Sequence, residues 1–161
     1  YGEDGCDLAA VVLEACERRG LTLAIAESCT GGLLGQRITA IPGASRIFAG
    51  GVIAYADQVK TAALGVPAGL IAEHGAVSQP VAEAMAAGVA ARFGTSAALA
   101  VTGIAGPTGG TPDKPVGTVW LAAHLEGRTE AVLRRFPGDR DEVRRRSAQA
   151  ALDLLRRRLA G

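Results

Sequence analysis

The sequence predicts a three-layer α/β/α sandwich around a mixed, mostly parallel sheet. Three observations carry that expectation. Helical patterns alternate with short apolar runs through the first two thirds of the chain. The runs are of strand length, and their continuous apolar character suits strands buried on both faces. A hairpin pattern and one long helix close the chain, which makes the sheet mixed. The length of 161 residues suits one domain with a full core.

Each element has a local reason. Residues 1–6, with Gly2 and Gly5 among acidic residues, read as the end of a linker. Asp7 can cap a helix to about Arg19, with Leu8, Val11, Val12, Ala15 and Cys16 on one face. Gly20 ends it. Residues 21–26 form a buried strand between glycines. A helical pattern resumes after Gly31-Gly32, with Leu34, Ile38 and Ile41 in phase, and Pro42-Gly43 stops it. Residues 48–55 read as a second strand in which Gly50-Gly51 mark a bulge or a close approach. Asp57 can cap a short helix through Leu64, and residues 67–74 make a turn or another helical turn. Ser78 can cap a helix to Phe93 with Pro80 in its first turn. Residues 97–101 are a third buried strand, and 102–115 a Gly/Pro loop. Strands at 116–125 and 129–136 pair as a hairpin through Glu126-Gly127-Arg128. The last helix spans about 141–159, with Val143, Ser147, Ala150, Leu154 and Leu155 inward.

Composition narrows the function classes. Apolar residues make up 48% and charged residues 20%, a globular balance. No apolar run approaches the roughly 18 to 20 residues that span a bilayer, and no basic-then-apolar leader opens the chain. A net charge of +1 gives no global pull toward nucleic acid or membranes, so neither is an expected partner, and any anion site must be local. Cys6, Cys16 and Cys29 form no C-x-x-C pair, which suits reduced thiols in a cytoplasmic protein. His74 and His124 have no partner at ligand spacing, so no metal is expected. The chain starts at Tyr1 rather than Met, as an excised piece of a longer protein would.

Three loops carry the chemistry, and each follows a predicted strand, at the sheet edge where α/β proteins bind ligands. The first is Glu27-Ser28-Cys29-Thr30-Gly31-Gly32. A strand, a sharp turn bearing a hydroxyl, then a helix can expose a serine nucleophile on a rigid elbow. Backbone N–H groups at Gly31 and Gly32 can approach a phosphate or an oxyanion. The plainer reading makes Ser28 or Thr30 an ordinary helix cap. Cys29 is a rival nucleophile, or a small buried side chain. The second loop holds Tyr55 and Lys60. No histidine lies in a suitable motif, so lysine is the candidate base, provided its site lowers its pKa. Lys60 and Lys114 are the only lysines beside fifteen arginines. Lys60 as a solvated helix lysine, and Tyr55 as an aromatic with its hydroxyl in water, are the alternatives. The third runs from Thr102-Gly103 through Gly106 to Thr111 and can cradle a phosphate, or can simply be a connection stiffened by prolines. It is neither a Walker loop nor a dinucleotide fingerprint. Arg140, after the last strand, can grip a phosphate bidentately, with Arg144 and Arg145 as weaker candidates. The arginines at 144–146 and 156–158 stand beside acidic residues and read as a solvated helix face.

Six segments occur together: AESCTGG at 26–32, GGVIAYADQVK at 50–60, GAVS at 75–78, TGIAGP at 102–107, KPVGTV at 114–119 and GDR at 138–140. In this order they resemble the CinA C-terminal family over about 150 residues. Members of that family are nicotinamide mononucleotide deamidases or domains of competence/damage-inducible proteins. The resemblance implies that Ser28 attacks the carboxamide carbon, with Lys60 as base and Tyr55 assisting. Ammonia leaves, and water releases nicotinate mononucleotide. Thr30, Gly31, Gly32, Thr102, Gly103, Gly106 and Arg140 would hold the substrate, with no cofactor or metal. Family members usually carry Ser-Asn after the tyrosine, where this chain has Ala56-Asp57. Residues 1–5 resemble the linker of two-domain members, so the chain is expected to be a C-terminal half whose missing domain would cleave nucleotides separately. A homo-oligomer is expected. The alternative is a catalytically silent ligand-binding or assembly module.

Overall fold

The computed structural model describes residues 7–161. The linker expected at residues 1–6, with Cys6, lies outside the described residues. The elements are α1 (Leu8–Arg18), β1 (Leu23–Glu27), α2 (Leu33–Thr39), β2 (Phe48–Ile53), α3 (Asp57–Leu64), α4 (Ala68–His74), α5 (Gln79–Phe93), β3 (Ala97–Gly103), β4 (Thr118–Leu125), β5 (Arg128–Arg135) and α6 (Arg140–Ala160). The sheet has the order β2-β1-β3-β4-β5. β1 is parallel to both neighbours, and β4 is antiparallel to β3 and to β5. Four strands therefore point one way and β4 alone the other, which is the expected mixed sheet.

The two faces of the sheet are chemically different. Leu23, Ile25, Leu99, Val101 and Leu121 point to one face and pack against α1, α2 and α6. Ala24, Ala26, Ala98, Ala100 and Ala122 point to the other and pack against α3, α4 and α5. Strand side chains alternate faces, so large and small residues in alternation give one thick layer and one thin layer. On the thin side α5 comes close to its neighbours, and a side chain at Gly88 would collide with the Leu64 carbonyl of α3. Among the described residues no helix is long and apolar enough to cross a membrane.

The structure moves several expected boundaries. β1 starts at Leu23 and runs one residue further, to Glu27. α2 stops at Thr39, leaving Ile41 outside it. β2 ends at Ile53; its partner positions skip Ala49, so the bulge falls just before the glycine pair, whose two residues are themselves in register. A Cβ on Gly51 would lie 2.5 Å from the Ile25 carbonyl oxygen, which explains the glycine. Asp57 is the first residue of α3 and does not cap it. Ser78 precedes α5, but its hydroxyl donates back to the Gly75 carbonyl at 2.7 Å. β3 continues through Gly103, so Thr102 and Gly103 belong to the strand and not to the loop. β4 starts at Thr118, and the hairpin turn is Glu126-Gly127, with φ of 50° and 84°, which returns Arg128 to the strand. α6 starts at Arg140, where the Asp139 carboxylate accepts from the Glu142 amide at 2.9 Å. On α6, Ala148, Ala151, Leu152 and Leu159 join Val143, Ser147 and Leu155 in the interior, while Ala150 and Leu154 are only partly buried.

Candidate active site

The chain leaves β1 toward β2 and returns to β3 on the other side of β1. This is a topological switch point, where a crevice opens beyond the strand ends. The elbow follows β1 and the glycine-rich loop follows β3. Tyr55 lies two residues past β2, and Arg140 opens α6 after β5. All four therefore reach the same edge of the sheet.

The elbow is fixed from within and from outside. The Ser28 amide donates to the Val101 carbonyl at 2.9 Å, extending the ladder between β1 and β3 by one residue. Gly31 and Gly32 then take φ of 56° and 106°, a reversal that side chains disfavour. Gly32 is the cap residue of α2 and has no side chain with which to cap. Glu27 does this work instead. Its carboxylate, 2% exposed, accepts from the amides of Leu34 at 2.8 Å and Gly35 at 3.0 Å. From α6, Arg144 donates to the carbonyls of Cys29 at 3.2 Å and Thr30 at 2.9 Å. Neither Ser28 nor Thr30 caps the helix, and the Leu34 and Gly35 amides of its first turn are engaged by Glu27. The Thr30 hydroxyl oxygen is buried and has no hydrogen-bond partner among the described residues.

Lys60 sits beneath the elbow, 1% exposed. Its Nζ lies 3.1 Å from Ser28 Oγ and 3.0 Å from the Tyr55 carbonyl oxygen. Burial lowers its pKa; Asp57 and Cys29 oppose that shift. The Asp57 carboxylate stands 3.8 Å away and is largely exposed, which weakens its pull. Lys60 is therefore not a solvated helix lysine. The Ser28 contact works in either protonation state, with an ammonium donating to the hydroxyl oxygen or the hydroxyl donating to a neutral amine. Cys29 is buried too, and desolvation raises its thiol to about 12, which leaves it a poor nucleophile at neutral pH. Cys16 is in the α1 core with its thiol raised to about 11 by burial.

The remaining residues divide into those at the crevice and those that shape it. Tyr55 is exposed, and its hydroxyl accepts from Arg140 at 3.0 Å; its carbonyl, not its hydroxyl, touches Lys60. Arg140 also donates to the Gly106 carbonyl at 2.7 Å, which ties α6 to the glycine loop. Two of the five guanidinium donors are thereby engaged. Thr102 donates to the Ala76 carbonyl at 3.0 Å. A Cβ on Gly103 would lie 2.7 Å from a Val119 methyl, so packing against β4 already explains that glycine. Gly106 has φ of 84° and lies against Val116. Lys114 donates to the His74 carbonyl at 2.8 Å and anchors the loop to the end of α4. Among the described residues no group of three or more His, Cys, Asp and Glu could hold a metal ion. A groove of about 890 Å³ lies elsewhere, along α2 and α6 by Arg37, Phe136 and Arg145, and Ser28 and Lys60 do not line it. The Arg156 and Arg157 side chains pair with Asp153 of their own helix, at 2.7 Å and 2.8 Å.

Sequence reasoning missed Glu27 and Arg144 as a pair. Glu27 left a signal: a carboxylate ends a strand that is otherwise wholly apolar, directly before a helix whose cap is glycine. Arg144 left none that separates it from Arg145 and Arg146.

Comparison with known proteins gives the family and the fold. A family model described as the CinA C-terminal domain matches residues 6–159. The chain is 64% identical over 160 residues to a CinA-like protein of Gemmatimonas aurantiaca, covering 99% of this chain and 37% of that protein. It is 51% identical over 162 residues to a CinA-like protein of Mycobacterium tuberculosis, covering 100% of this chain and 37% of that protein. The chain thus spans a little over a third of the length of these curated relatives. A competence-damaged protein (CinA) superfamily structure from Klebsiella pneumoniae superimposes with a TM-score of 0.92 at 36% identity, covering 95% of this chain and 96% of that one. A competence/damage-inducible protein from Agrobacterium tumefaciens gives 0.90 at 35% identity, with 97% of each chain covered.

Proposed function

The chain belongs to the CinA C-terminal domain family, and from that premise we propose that it hydrolyses the carboxamide of nicotinamide mononucleotide to nicotinate mononucleotide and ammonia. The observation that carries the reading is the buried Lys60 Nζ at 3.1 Å from Ser28 Oγ, on an elbow at the strand edge. A hydroxyl needs a neighbour that takes its proton as it attacks, and this amine is within reach and has its pKa lowered by burial.

The steps balance as acyl transfer. Ser28 Oγ bonds to the carboxamide carbon while its proton passes to neutral Lys60. The resulting ammonium returns that proton to the amide nitrogen, the C–N bond breaks, and ammonia leaves. Water then adds to the Ser28 ester, with Lys60 again taking a proton, and Lys60 returns that proton to Ser28 Oγ as the C–O bond to Ser28 breaks. The Tyr55 carbonyl holds the amine in place throughout. The free donors of Arg140 suit the phosphate, and the glycine loop offers backbone close to it.

The test is ammonia release from nicotinamide mononucleotide by the wild-type chain, Ser28→Ala and Cys29→Ala. The expected result is release by wild type and by Cys29→Ala, and none by a folded Ser28→Ala that still binds the mononucleotide. Binding without ammonia from wild type would make the chain a silent module, and an active Ser28→Ala would remove Ser28 as the nucleophile.

A further inference from the structure

Among the described residues five large apolar side chains are exposed: Ile53, Tyr55, Phe93, Val116 and Leu133. Three of them stand on the segments that flank the Ser28–Lys60 pair or are tied to it through Arg140. Ile53 pairs in register with Glu27, the residue before the nucleophile, and its Cδ1 lies 3.3 Å from where a Cβ of Gly32 would stand. Tyr55 gives its carbonyl to Lys60 and its hydroxyl to Arg140. Val116 lies against Gly106, whose carbonyl Arg140 holds. Ile53 and Tyr55 are more than half exposed, at 54% and 58%, and Val116 is 38% exposed. Phe93 is elsewhere, against Gly50, and Leu133 is on the outer edge strand β5.

We propose that Ile53, Tyr55 and Val116 form a collar that takes the flat face of the aromatic ring bearing the carboxamide, and so select ring amides over simple ones. The identity of the ring rests on the hydrolase reading above. The chemistry of the rim is independent of it. A sugar phosphate recovers nothing from exposed isoleucine and valine, whereas a planar ring laid on them buries its own apolar face and theirs. A pyridinium ring also gains from lying over the face of a tyrosine. With the ring on the collar, its carboxamide points toward Ser28 and its ribose phosphate toward Arg140. Gly32 and Gly106 fit this picture, because each leaves the space that Ile53 or Val116 occupies.

The experiment measures dissociation constants for two probes, nicotinamide mononucleotide and ribose 5-phosphate, which is the same sugar phosphate without the ring. It uses calorimetry in a Ser28→Ala background, so that no ligand is consumed. Ile53→Ser and Val116→Ser are each expected to weaken the mononucleotide roughly tenfold, from the loss of one to two methylenes of contact or more, and to leave ribose 5-phosphate unchanged. Leu133→Ser should change neither. Equal losses for both probes, or no loss for the mononucleotide, would overturn the collar. So would a wild-type dimer that Ile53→Ser dissociates with no change in ligand binding, since the rim would then be a subunit contact. Ammonia release by the Ser28-intact chain separates the two claims: a ring-dependent loss without any turnover leaves the collar standing and removes the hydrolase reading.

Discussion

Lys60 is a cation-forming group placed where a cation is disfavoured. Its two oxygen neighbours, Ser28 Oγ and the Tyr55 carbonyl, hold the amine in place, while burial favours the neutral form. Asp57 works against burial from 3.8 Å. This gives a consequence to the Ala56-Asp57 pair, which departs from the Ser-Asn of the family it resembles. A carboxylate there holds the Lys60 pKa higher than an amide would. Asp57→Asn should therefore shift the rising limb of the pH–rate profile toward acid, and only slightly, because Asp57 is exposed and screened. Profiles measured at low and at high salt check this, and the difference between wild type and variant should shrink as salt rises. An alkaline shift would mean that Asp57 acts through something other than its charge. Stability has the matching sign. Because folding lowers the Lys60 pKa, the folded chain holds fewer protons than the unfolded one between the lowered and the ordinary lysine value, and stability from this group rises with pH across that window.

At the scale of elements, α2 is a seven-residue helix whose start is organised by a residue outside it. Glu27 sits at the end of β1 and reaches the amides of Leu34 and Gly35, closing residues 28–33 into a loop. Ser28 lies inside that loop, so the position of the proposed nucleophile depends on a contact it does not make. Glu27→Gln keeps the shape but puts an NH2 where one amide needs an acceptor. The expected cost is about 1–3 kcal/mol in stability, the range for a buried donor left unsatisfied. The expected kinetic effect is a fall in kcat larger than any rise in KM, because the collar and Arg140 remain. Denaturant titration and steady-state kinetics on the same samples check both. A stability loss with kcat unchanged would reduce Glu27 to a helix cap. The helix boundaries were harder to read than the helices for the same physical reason: Gly32 and Ala56 carry no capping side chain, and Ser78 bonds backward to Gly75.

For the whole molecule, the fold class was legible because burial writes itself into side-chain alternation. Continuous apolar strands, helices with one apolar face, and a turn at Glu126-Gly127 leave few alternatives to a covered mixed sheet. The thin face was not legible, since a strand alanine says nothing about which helix lies over it. The candidate site was legible in part. Ser28, Tyr55, Lys60 and Arg140 stood out by residue type and loop position, and the structure links them by hydrogen bonds at one edge of the sheet. That Lys60 touches Ser28, and that Arg140 touches Tyr55, depends on folding that joins residues 32 and 85 positions apart in sequence. The Arg144 contact with Thr30 spans 114 positions, and no local pattern encodes such a pair.

The claim on which all three scales depend is that a neutral Lys60 takes the proton from Ser28. It is tested most directly by kcat/KM for ammonia release from nicotinamide mononucleotide by wild type, Lys60→Ala and Lys60→Arg, from about pH 6 to about pH 10. An unperturbed lysine has a pKa near 10.4, whereas arginine stays charged over the whole range. The wild-type rate should rise with pH and level off below that ordinary lysine value, and the arginine variant should be as inactive as the alanine variant. An arginine variant that retains a good part of the activity, or a wild-type rate that falls as the amine loses its proton, would contradict the account and make Lys60 a fixed positive charge.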